Sequence, residues 1–75
     1  MSLARVPLSQ PVRVFAVQGS DMAAYRLMEM GFVKGAEVEV IGRAPLGDPL
    51  RIRLGDCTLS LRTSEAARVE VRDCA

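Results

Sequence analysis

The chain has no histidine, no tryptophan, one lysine, three aromatic residues and two cysteines, and each scarcity removes a class of function. Acid–base or covalent catalysis needs a base or nucleophile held beside groups that shift its pKa. With no histidine, and no serine or cysteine in an activated setting, the chain reads as non-enzymatic. A closed zinc site wants four Cys or His ligands and a catalytic one about three. Here only Cys57 and Cys74 offer thiols, far apart and in no Cys-x-x-Cys pattern. A reducing cytoplasm keeps such thiols free, so no disulfide is expected. Cys57 is expected to face the core as a small apolar residue. Asp73 and Cys74 remain as a weak, adventitious soft-metal pair, most effective between two molecules in weak self-association.

Other absences concern partners. RNA recognition by stacking needs exposed aromatics, and a proline-recognising groove needs them too. Only Phe15, Tyr25 and Phe32 are present. Nine acids against ten bases, a net charge of +1, are scattered without a basic block, which argues against nucleic acid. No apolar run approaches the ~20 residues that cross a bilayer, and Met1 to Pro11 lacks the apolar segment of a secretory signal. The expected location is the cytoplasm, without direct membrane insertion. Residues 1–75 read as one domain, since a chain this short buries only about 60% of its unfolded surface and has no room for a large cleft.

What is present is alternation. Val12, Val14 and Ala16 fall on one side at period two after Pro7 and Pro11, which suit an extended lead-in, and this predicts a first strand. Gly19-Ser20-Asp21 breaks it, and Ser20 or Asp21 is suited to cap a helix. Ala23, Leu27 and Met30 recur at i, i+4 and i+7, so the helix is expected to bury that stripe. Gly31 suits the left-handed stop, with Phe32 folding back. Lys34-Gly35 is a turn, after which Val38 and Val40 alternate with Glu37 and Glu39.

Gly55-Asp56 separates two alternating segments, Leu50 to Leu54 and Cys57 to Leu61, as a glycine-first pair fit for a type II′ hairpin. Counting outward pairs Leu54 with Cys57, Ile52 with Leu59 and Leu50 with Leu61 on one face. Arg51 and Arg53 then lie on the polar face, available to Glu37 and Glu39. Thr63 to Ala67 suits one helical turn before Val69 and Val71 alternate in a last strand. The fold class is mainly β, a small SH3-like barrel of about five strands with one short helix inserted after the first strand.

Met22, Tyr25 and Met28 cannot all share the helix stripe, being spaced about 100° per residue, and an exposed Met and Tyr pair offers a docking patch. Leu46 sits at the tip of Arg43 to Pro49, whose two prolines limit its freedom. Either it docks a partner or it caps the barrel. Two segments, Arg26-Leu27-Met28-Glu29-Met30-Gly31-Phe32-Val33 and Ala44-Pro45-Leu46-Gly47-Asp48-Pro49, in order and at this length, resemble the FeoA family of bacterial ferrous iron uptake. The resemblance covers Pro7 to Val71 and implies an SH3-like domain acting with the FeoB permease at its cytoplasmic GTPase part, needing no cofactor. Composition and spacing alone carry no indication of iron. Two alternatives stand beside it: a metal-sensing SH3-like module akin to that of iron-dependent repressors, which would bind a transition metal ion, and a small RNA-binding barrel.

Overall fold

The computed structural model describes residues 1–74. In chain order the elements are β1 (Val12–Val17), α1 (Met22–Met30), β2 (Glu37–Arg43), β3 (Leu50–Leu54), β4 (Cys57–Leu61), α2 (Thr63–Ala66) and β5 (Val69–Asp73). The strands form one antiparallel sheet in the order β4-β3-β2-β1-β5. β1 and β2 pair only at Val12 with Val38 and Arg13 with Glu37. The concave side collects Val12, Val14, Val38, Val40, Leu50, Ile52, Leu61, Val69 and Val71 around Leu27 and Phe32. No helix among the described residues is long and apolar enough to cross a membrane.

The hairpin register is the one that its two-residue turn dictates: Leu54 opposite Cys57, Ile52 opposite Leu59, Leu50 opposite Leu61. Gly55 takes φ +58, the conformation asked of the first turn residue in a II′ hairpin. Across β2 and β3, Glu39 faces Arg53, and the Arg53 guanidinium reaches Glu39 Oε1 at 2.5 Å and Glu37 Oε2 at 3.5 Å. Arg51 instead faces Gly42, because a register shift between Val40 and Gly42 makes Ile41 an extra residue in β2.

Four expectations need correction, each for a local reason. In β1 the register moves from Val14 opposite Val71 to Ala16 opposite Glu70, so Phe15 is the extra residue of a bulge. Strand parity is thereby switched, and Val17 rather than Ala16 packs on the core. In α1 the buried residues are Ala24 and Leu27, not Ala23 and Met30; Met30 is exposed. A Cβ built on Gly31 would stand 3.2 Å from Leu54 Cδ2, and that close approach sets the line 24, 27, 31 against the sheet. Cys57 is exposed, since it lies at the hairpin end of the edge strand β4, where alternation no longer guarantees cover.

Fourth, the N-terminal segment is part of the core rather than a simple lead-in. A 3-10 turn at Leu3–Arg5 brings Leu3 and Val6 to complete burial. The Val71 N–H donates to Met1 O at 2.8 Å, and Ser2 bridges Glu70, fastening this segment along the outer edge of β5 and covering much of that edge.

Asp21 caps α1, accepting from the Ala24 N–H at 3.3 Å, and also accepts from Arg68 Nη1, just before β5. The Arg68 hydrogen bond, helped by the Ala24 N–H, holds its carboxyl below the ordinary aspartate value. A depressed folded pKa stabilises the protein at pH above the unfolded value, and that contribution disappears as pH falls through the folded value. Urea midpoints measured between about pH 5 and pH 2 are therefore expected to fall further in the wild type than in Asp21→Asn, which keeps the cap acceptor but not the charge. Parallel pH curves would reject the assignment.

Candidate docking surface

The surface of α1 is built by its two ends. At the start, Asp21 fixes the first turn. At the stop, Gly31 adopts φ +115, its N–H donates to Met28 O at 3.1 Å, and the Phe32 N–H donates to Leu27 O at 3.1 Å. This six-to-one and five-to-two pair is a Schellman stop, and it sends Phe32 into the core, where it is fully buried. With both ends tied and Ala24 and Leu27 inward, the remaining side chains have nowhere to go but out.

Met22, Tyr25 and Met28 are exposed by 69%, 51% and 37%. Spaced three residues apart, each steps about 60° around the axis from the last, so the three form one slanting stripe beside the buried line. Met30 leaves on the opposite flank. Arg26 and Glu29 border the stripe and are also exposed, giving the apolar strip a charged margin.

Leu46 is elsewhere. Its loop is closed by the Gly47 N–H to Ala44 O at 2.7 Å and the Ala44 N–H to Pro49 O at 3.1 Å. It is tied to α2 by the Thr63 N–H and hydroxyl, which donate to Asp48 Oδ1 at 2.7 and 3.0 Å. At 96% exposure, Leu46 touches neither the core nor α1, so it does not cap the barrel. It lies beyond the Leu50 end of β3, whereas the α1 stop abuts the Leu54 end. The structure thus brings Met22, Tyr25 and Met28 together and leaves Leu46 as a separate apolar knob on a braced loop.

Among the described residues no three His, Cys, Asp or Glu side chains converge on one point. Asp73 Oδ1 accepts from Gln10 Nε2 at 3.4 Å, and Cys74 is free and exposed. A shallow, open depression of about 250 Å³ is lined by Met1, Ser2, Gln18, Ala67 and Glu70; Glu70 alone among these has an ionisable side chain.

Fold and surface define a small SH3-like β domain with one firmly capped helix turned outward. A FeoA domain model matches residues 1–73. The chain is 42% identical to a Stenotrophomonas maltophilia protein with TM-score 0.86, covering 96% of this chain and 89% of that one; that protein is described as FeoA complexed with zinc, an SH3 domain protein put forward as a ferrous iron transport activating factor. A FeoA-like protein from Clostridium acetobutylicum matches at 35% identity and TM-score 0.91, over 100% of this chain and 87% of that one. An Fe(2+) transport protein A/Fe(2+) transporter FeoB fusion protein of Porphyromonas gingivalis is 37% identical over 71 residues, 95% of this chain; the chain spans 8% of that relative's length. This chain belongs to the FeoA domain family. A manganese-dependent transcriptional repressor, at 13% identity and TM-score 0.85, shares the fold alone.

Proposed function

We propose that this protein is a non-enzymatic accessory domain of ferrous iron uptake that docks on the cytoplasmic GTPase part of a FeoB-type permease through Met22, Tyr25, Met28 and Leu46. One observation carries the reading: in the Porphyromonas gingivalis relative, a segment 37% identical to this chain is joined in one polypeptide to an Fe(2+) transporter. Covalent linkage keeps two modules at high effective concentration, and separate chains must supply that proximity by contact. The surface suits the task. Three apolar side chains stand on a helix tied at both ends, and a fourth on a braced loop, so little entropy is lost when a partner immobilises them.

The test is capture of the permease's cytoplasmic domain by the wild-type chain and by a Tyr25→Ala, Leu46→Asp double variant. Both residues are largely exposed, so melting temperatures should coincide. Capture should weaken at least about tenfold, the scale expected when one aromatic and one aliphatic side chain no longer reach the partner. Equal capture would reject these contacts. The metal-sensing alternative draws on likeness of fold, and Fe(II) binding in titration calorimetry together with equal capture would favour it.

A further inference from the structure

The bulge in β1 has a consequence on the outer face of the sheet. Phe15, its extra residue, is half-buried, and its ring carries two cations: Arg72 Cζ lies 3.5 Å from the ring centroid and Lys34 Nζ 5.2 Å. Arg13 faces Arg72 directly across the β1–β5 pair and sends Nη1 to Gly35 O at 2.8 Å. Like charges placed opposite each other on a sheet repel, so the cluster does not serve the sheet.

Nor is it neutralised from within. The ion pairs among the described residues engage Arg53 and Arg68. Glu37 faces Arg13 across β1 and β2, yet its carboxylate sits beside Arg53. Asp73 accepts from Gln10. Among the described residues, Arg72 and Lys34 have no side-chain hydrogen-bond partner, which leaves the five guanidinium N–H groups and the three ammonium ones unused.

We propose that Lys34 and Arg72 over the Phe15 ring, with Arg13 opposite Arg72, form a recognition site for a carboxylate side chain on an acidic segment of a protein partner. Stacking on Phe15, with Arg72 Cζ 3.5 Å from the ring centroid, restrains a guanidinium whose planar N–H fork a carboxylate can meet with two parallel hydrogen bonds. Lys34 supplies a mobile charge above the same ring. The charge balance chooses the ligand: with nine acids against ten bases and no basic block, a cluster of three cations fits a compact oxyanion rather than a wide polyanionic surface such as a membrane or a nucleic acid. The site shares no residue with the α1 stripe and stands independently of the docking reading.

The test is fluorescence anisotropy of a labelled short polyglutamate peptide titrated with the full chain at low salt. Arg72→Gln should weaken binding about tenfold and Arg72→Lys about threefold, because lysine keeps the charge without the planar fork. Arg43→Gln, at an exposed arginine outside any ion pair among the described residues, makes the same charge change and should alter it less than about twofold. Arg13→Gln provides a second loss that leaves the Phe15 stack in place. Equal losses for Arg43→Gln and Arg72→Gln, or no wild-type binding, would overturn the proposal. So would Arg72-dependent capture on phosphatidylserine vesicles without peptide binding.

Discussion

Phe32→Ala is expected to cost about 3–5 kcal/mol, most of the stability of a domain this small, for which about 0.05–0.15 kcal/mol per residue is usual. Phe32 is the largest fully buried side chain, and it enters the core directly from the Gly31 stop, so no nearby element is free to collapse into the space it leaves. In a domain of this size such a loss lowers the melting temperature by more than about 12 °C. Phe32→Leu keeps much of the volume and should cost less than about half as much. The check is denaturant unfolding of the three proteins side by side. A loss below about 1 kcal/mol for the alanine variant would mean that the ring is not central to the core.

The second large effect falls one residue earlier. Gly31 holds φ +115, which a side chain adopts only under strain, at a cost of about 1–3 kcal/mol. Any Cβ there must also push Leu54, whose Cδ2 would be 3.2 Å away. Gly31→Ala meets both difficulties, and Gly31→Val adds a branched carbon that the left-handed region tolerates worst. The order of stability should be glycine above alanine above valine, with valine at least about 2 kcal/mol below wild type. Both variants should also weaken capture of the permease domain at temperatures where they remain folded, since a frayed last turn no longer holds Met28 in line with Tyr25. Unfolding midpoints and capture measured together decide the matter. Alanine as stable as glycine would show that the backbone relaxes out of the left-handed region.

How far a sequence can be read depends on whether the deciding constraint is local. The β3–β4 register was legible because a two-residue glycine-first turn leaves only one pairing that puts Leu50, Ile52, Leu54, Leu59 and Leu61 on one side. The ends of α1 were legible for the same reason, as Ser20 or Asp21 at the start and Gly31 at the stop act within one turn, the structure giving the cap to Asp21. The inward face of α1 was not. Met22-Ala23-Ala24-Tyr25 is apolar nearly all round, so two stripes through Leu27 fit the helical period equally well, and the choice fell to the packing of Gly31 against Leu54, two residues far apart in the chain. Cys57 misled because alternation describes a face but not where an edge strand runs out of cover.

The candidate surface divides the same way. That Met22, Tyr25 and Met28 include exposed residues follows from helix geometry, but that all three share one stripe required knowing which side Ala24 took. Leu46 left two readings open, and the hydrogen bonds from Thr63 to Asp48 hold its loop off the barrel. The Phe15 cluster gave no signal at all. Its cations come from positions 13, 34 and 72: Lys34 and Arg72 stand over the Phe15 ring, and Arg13 faces Arg72 across the β1–β5 pair.

By itself the sequence determined the elements, their order, the hairpin register, the caps and the family resemblance, because turns, caps and alternation act over a few residues. Tertiary structure decided which helix face is buried, the burial of Leu3 and Val6, the exposure of Cys57 and the gathering of charge around Phe15. Those outcomes depend on contacts between distant segments and on single-residue bulges that reverse a strand's parity, and neither leaves a mark in local pattern.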